Sequence, residues 1–119
     1  ILVSAFITPE LEQIAASAET GCDAIELHTG AYANAKSERA AKKQIAALEA
    51  GRDFAMEQGL IVHAGHGLTY RNIGAVARIE GLCEFNIGHS IVARAVLVGM
   101  REATRRMIEL IDKYAKRLD

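Results

Sequence analysis

The sequence predicts an α/β domain built from four βα units on parallel strands. Two patterns and a composition carry that prediction. Short apolar runs rich in β-formers alternate with stretches whose apolar residues recur at helical spacing. Polar and glycine residues gather just after those runs, where α/β folds build their sites. Of the 119 residues, 50% are hydrophobic and 24% charged, with a formal net charge of -1. This is ordinary globular composition. It excludes a disordered chain and gives no reason to expect a nucleic-acid or membrane-surface partner. No apolar run approaches the ~20 residues of a membrane helix. The length allows one domain at most, 1–119.

Residues 2–7 form an apolar run, read as a buried first strand. Thr8 then offers an N-cap, with Pro9 at the first helical position and Glu10 and Glu12 in the first turn. Leu11, Ile14, Ala15 and Ala18 recur at helical spacing, and Gly21 is the stop. Residues 24–29 are a second strand and 30–36 a loop of small and polar residues. Ser37 caps a long helix to about Gln58. Ala41, Ile45, Leu48, Arg52 and Ala55 mark one side of it, and Ala40, Ala47, Gly51 and Phe54 the adjoining side. Gly59 stops it. Residues 61–64 are a third strand, followed by a glycine-rich loop, 65–70. A short helix then holds Ile73, Val76, Ala77 and Ile79. Residues 83–87 are a fourth strand. A small-residue helix, 90–98, is interrupted at Gly99. A last amphipathic helix carries Met107, Ile111, Tyr114 and Leu118, with Lys113, Lys116 and Arg117 where cations suit the helix dipole.

The order β-α-β-α-β-α-β-α′-α implies parallel strands joined by crossovers. Four units form either a small open sheet or half of a (β/α)8 barrel. A complete barrel takes ~250 residues. The extra short helix favours the barrel. Such barrels bind phosphate at the loops after strands seven and eight, beside a short extra helix. The strands here are then strands five to eight. The chain opens on an apolar run without an initiator Met, so it reads as the C-terminal piece of something longer, its N-terminal half absent. An isolated half would expose strand edges and an apolar sheet face. Cys22 and Cys83 are too few for a disulfide framework, fit a reducing cytosol and read as small buried hydrophobes.

Glu26 and His28 are two apart on one strand and share a face, inside the expected barrel, while Ile25 and Leu27 point to covering helices. A buried carboxylate needs a partner or a task. The pattern leaves both open: a structural ion pair or backbone bond, or a place in the site. Gly65-His66-Gly67 sets a histidine between residues without a Cβ, which lets backbone amides approach an anion and leaves His66 free to move a proton. A plain turn is the other reading. His63 and His66 straddle a strand end, which is no zinc motif, and His63 reads as a core or supporting histidine. Gly88-His89-Ser90 opens the short helix, where free amides favour phosphate and Ser90 suits an N-cap. Arg101, Arg105 and Arg106 read as a solvated basic face.

Three strings then stand out: I-E-L-H-T-G-A-Y-A (25–33), A-G-H-G-L-T-Y (64–70) and N-I-G-H-S-I (86–91). Together with V-S-A-F-I-T (3–8), they resemble the C-terminal half of the pyridoxine 5′-phosphate synthase family, in order and spacing across the whole chain. The resemblance implies a (β/α)8 barrel that condenses 3-amino-2-oxopropyl phosphate with 1-deoxy-D-xylulose 5-phosphate. The products are pyridoxine 5′-phosphate, inorganic phosphate and water. It implies no metal and no organic cofactor, a cytoplasmic location and a homo-octamer. It makes His66 the proton donor and Glu26 the residue that stabilises the transition state. Gly67, Gly88 and His89 become binding positions for the amino-oxopropyl phosphate. The family's glutamate base, second catalytic histidine and deoxyxylulose-phosphate arginines belong to the half this chain lacks. Two other readings stand beside it. One is an inactive half-barrel that binds a phosphate ligand or its partner half. The other is a phosphosugar isomerase or aldolase on the same fold, although a Schiff-base aldolase needs a strand lysine and none of the four strands has one.

Overall fold

Four strands, β1 (Ser4–Ile7), β2 (Ala24–His28), β3 (Ile61–Gly65) and β4 (Leu82–Asn86), lie side by side in chain order. Every neighbouring pair is parallel, as the alternation requires. The computed structural model describes residues 1–115. Lys116, Arg117 and Leu118, expected in the last helix, therefore lie outside the described residues. The helices are α1 (Leu11–Glu19), α2 (Gly30–Ala33), α3 (Glu38–Glu57), α4 (Ile73–Ala77), α5 (His89–Val98) and α6 (Met100–Tyr114). No helix among the described residues is long and apolar enough to cross a membrane.

The core lies on one side of the sheet. Ile25 and Leu27 of β2 and Val62 and Ala64 of β3 are buried against Ile14, Leu48, Ala55, Ile73, Val76 and Met107 from the helices. Strand alternation sends the intervening residues to the other face. Register places Phe6, Glu26, His63 and Glu84 in one row across that face, and His28, Gly65 and Asn86 in the next. Hence the face without helices is mostly polar, with Phe6 and Ile61 its exposed apolar members. The expectation of an apolar sheet face is corrected: these positions carry His, Glu and Asn.

Several local expectations hold. The Ser37 hydroxyl accepts from the Ala40 N–H at 3.0 Å and caps α3. Gly21 and Gly59 follow α1 and α3 with φ of 83° and 79°, values that side-chain-bearing residues avoid. Leu48, Gly51 and Ala55 form the buried stripe of α3. Other expectations are corrected. The segment after β2 is a helical turn, α2, rather than a loop. The N-cap of α1 is Glu10, with no side-chain cap bond, so Thr8 and Pro9 precede the cap. Helix α5 starts at His89 with Gly88 as its cap, so Ser90 is not the cap. Cys22 is half-buried and Cys83 exposed. The cause at Cys83 is a register shift: Val62 pairs with Leu82 but His63 with Glu84, which leaves Cys83 as the extra residue of a bulge on the edge strand. His63 is half-buried on the polar face, between Glu26 and Glu84 in register, and not in the core.

Candidate active site

The site forms where the C-terminal ends of β2, β3 and β4 meet α5. Glu26 lies on β2 and Asn86 on β4, with Gly65 of β3 between them. Having no side chain, Gly65 lets the Glu26 carboxylate lie across β3. There Glu26 Oε2 accepts from Asn86 Nδ2 at 3.1 Å. A Cβ at residue 65 would stand 2.0 Å from Glu26 Oε1. No ion pair reaches Glu26 among the described residues.

His66 sits one residue beyond β3 and is exposed. Among the described residues it is the one non-glycine residue with positive φ, at 85°. That conformation costs on the order of 1–3 kcal/mol and needs the surroundings to hold it. Thr29, buried at the end of β2, does so. Its hydroxyl lies 2.7 Å from the Gly65 carbonyl and 2.6 Å from the His66 carbonyl. Its own N–H donates to Gly65 O at 2.8 Å. The next carbonyls are held in the same way. Asn72 Nδ2 donates to Gly67 O at 3.0 Å, and the Ser90 hydroxyl donates to Leu68 O at 2.8 Å. Tyr32 in turn donates its hydroxyl to Asn72 O at 2.6 Å, and burial pushes that phenol's pKa up, which keeps the proton on the donor. Ser90 thus ties the start of α5 to the glycine loop instead of capping the helix.

These bonds fix the loop backbone, and the Thr69 N–H donates to Asn72 Oδ1 at 2.7 Å. The first turn of α5 supplies free donors. The N–H groups of His89, Ser90 and Ile91 have no intrahelical acceptor, since Val92 N–H makes the first bond, to Gly88 O. Such a turn attracts anions. Gly88 has negative φ, and a Cβ there would meet nothing within 4 Å. Protein packing therefore does not demand glycine at 88, and the space beside its backbone is open.

All five residues singled out from the sequence, Glu26, His66, Gly67, Gly88 and His89, line one cavity of about 480 Å³. Phe6, Thr69, Asn86 and Ser90 line it too. Sequence reasoning missed Asn86 and Phe6 as members. Asn86 ends a strand beside Gly88, a signal that was available. Phe6 looked like core, and only the pairing of β1 with β2 shows it facing the polar side. The arrangement offers a carboxylate, two imidazoles and a set of backbone donors. That set suits proton transfer beside a bound anion. Among the described residues no group of three or more His, Cys, Asp or Glu stands in metal-binding geometry.

The family model for pyridoxal phosphate biosynthesis protein PdxJ matches residues 1–113. Curated relatives named pyridoxine 5′-phosphate synthase are similar over nearly the whole chain. The protein from Trichlorobacter lovleyi is 52% identical over 93% of this chain and 46% of its own length. That from Thermosynechococcus vestitus is 55% identical over 93% of this chain and 47% of its own. That from Pelobacter propionicus is 50% identical over 97% of this chain and 48% of its own. The chain thus spans about half the length of the curated relatives it matches.

Proposed function

The chain belongs to the pyridoxal phosphate biosynthesis protein PdxJ family, and from that premise we propose that the complete protein is a pyridoxine 5′-phosphate synthase. It condenses 3-amino-2-oxopropyl phosphate with 1-deoxy-D-xylulose 5-phosphate, releasing inorganic phosphate and water. The observation that carries this reading is the convergence of Glu26, His66, Gly67, Gly88 and His89 on one cavity. In the complete protein, β1 to β4 are strands five to eight of a (β/α)8 barrel, and α5 is the short extra helix beside the phosphate. The shares of their own length that the relatives devote to this match support that reading. The remaining strands and further acid-base groups come from the other half. The same reading carries a cytoplasmic homo-octamer without a resident metal or organic cofactor.

The residue types fit the steps. Addition of an amine to a ketone, loss of water, loss of phosphate and aldol-type closure of the ring all move protons. His66 gives a proton to the departing oxygen. Imidazole is the side chain most suited to giving and regaining a proton in acid-base catalysis. Glu26, held by Asn86 through Oε2, stabilises positive charge that develops at the condensing nitrogen. The amides at Gly67, Gly88 and His89 hold the phosphate of the amino-oxopropyl substrate and fix its position relative to the second substrate, itself a large part of the rate. β1 to β4 carry no lysine, which counts against a Schiff-base aldolase. The test is to give the complete protein both substrates and follow free phosphate together with the pyridine product. Equal appearance of the two, dependent on both substrates, is expected. Consumption of one substrate alone would contradict the proposal.

A further inference from the structure

The His66 ring needs support, because its loop is exposed and glycines flank it. That support comes from β2. The His28 ring stacks on the His66 ring with centroids 4.5 Å apart and planes 30° apart. On its other contact His28 stacks with Phe6, at 5.0 Å and 25°. Phe6 reaches His66 only at 6.4 Å and 41°, so His28 is the main platform. The platform is itself fixed. Gly30 N–H donates to His28 Nδ1 at 3.0 Å. A nitrogen that accepts this bond carries no proton of its own, which assigns the ring proton of His28 to Nε2. Gly30 makes the packing possible: a Cβ there would lie 2.3 Å from His28 Cε1 and 3.2 Å from His66 Cδ2.

We infer that His28 is a positioning residue, which holds the His66 imidazole in its reacting orientation by stacking, while the Gly30 amide holds His28. The inference rests on the proton-donor reading of His66 above. It separates His28 from the groups that touch substrate: His28 does not line the site cavity, whereas His66 and Phe6 do. Misplacement of a reacting group by about 1 Å costs on the order of 10²-fold in rate, so loss of the platform acts on turnover and leaves the phosphate contacts in place.

Three variants of the complete protein test it. His28→Ala removes ring and acceptor. His28→Asn keeps an acceptor near the Nδ1 position without a ring. His28→Phe keeps a ring without the acceptor. The expected result is a fall in kcat of about 10²-fold in the Ala and Asn variants, with KM for both substrates little changed. His28→Phe restores most of the loss. The nuclear magnetic resonance signal of the His66 ring is read in the same proteins. It is expected to move in the Ala and Asn variants, as the neighbouring ring is lost, and to stay shifted in the Phe variant. Wild-type kcat in His28→Ala overturns the inference. So does recovery in His28→Asn equal to that in His28→Phe, since the bond to Gly30 would then be what matters. If the unsubstituted protein turns over neither substrate, the functional reading fails. The resonance then decides alone, and a His66 signal unchanged in His28→Ala overturns the stacking role.

Discussion

A single methyl group at residue 65 distinguishes a glycine kept for folding from one kept for the site. The Cβ of alanine would stand 2.0 Å from Glu26 Oε1 and 2.9 Å from the Asn86 carbonyl. The carboxylate is the end of a flexible side chain and can swing away cheaply. The Asn86 carbonyl is backbone, so β4 itself must shift, and that is not cheap. Gly65→Ala is therefore expected to lose about 1–3 kcal/mol of stability. Its carboxylate would be displaced from Asn86, and its kcat should fall. Thermal unfolding and steady-state kinetics of the same preparations check this. Normal kcat in Gly65→Ala would mean that the placement of Glu26 is immaterial to turnover. At this scale much was legible. Alternation on β2 put Glu26 and His28 on one face, and the glycines around His66 marked an anion-friendly loop. The Glu26–Asn86 bond was not legible, because it spans 60 residues of sequence and depends on which strands become neighbours.

At the scale of elements, α6 carries a surface network that can be titrated. Arg105 donates to Glu102 at 3.0 and 2.7 Å and also pairs with Glu109, and Arg106 donates to Glu102 at 2.9 Å. The hydrogen bond from Arg105, then that from Arg106, lowers the Glu102 pKa from 4.5 to about 2. A depressed folded-state pKa gives stability that is present above the unfolded value and is lost as pH falls through the folded one. The window therefore runs from pH 4.5 down to about 2. Glu102→Gln should lose the part of the acid dependence that falls in this window. Because the pair is exposed, salt should weaken the effect. Unfolding followed by circular dichroism across that range measures it, and identical acid profiles for the two proteins would contradict the assignment. Element existence was readable from period and punctuation, as with Ser37 and Gly59 around α3. Short features escaped. The four residues of α2 are too few to show a period. The bulge at Cys83 leaves no mark in composition, because it arises from pairing between strands.

For the whole molecule, the question is what covers the surfaces that its own fold leaves open. Helix α5 buries none of its residues, although Val92, Val96 and Leu97 are 54%, 83% and 79% exposed. The outer edges of β1 and β4 pair with nothing among the described residues. Exposed edges and apolar patches promote association. Purified alone, the 119-residue chain should associate with rising concentration in light scattering, and under the half-barrel proposal co-expression with a complementary half should suppress it. A 12.8 kDa monomer at all concentrations would contradict this. The measurement that bears most directly on the central claim is turnover of the complete protein carrying His66→Asn, with substrate binding followed separately. Asparagine keeps polarity and approximate size but cannot give up a proton near neutral pH. Binding should be largely retained while kcat falls by about 10²–10⁴-fold, the usual loss for an acid-base group. Turnover close to that of the unsubstituted protein would contradict the claim that His66 supplies the proton at this site.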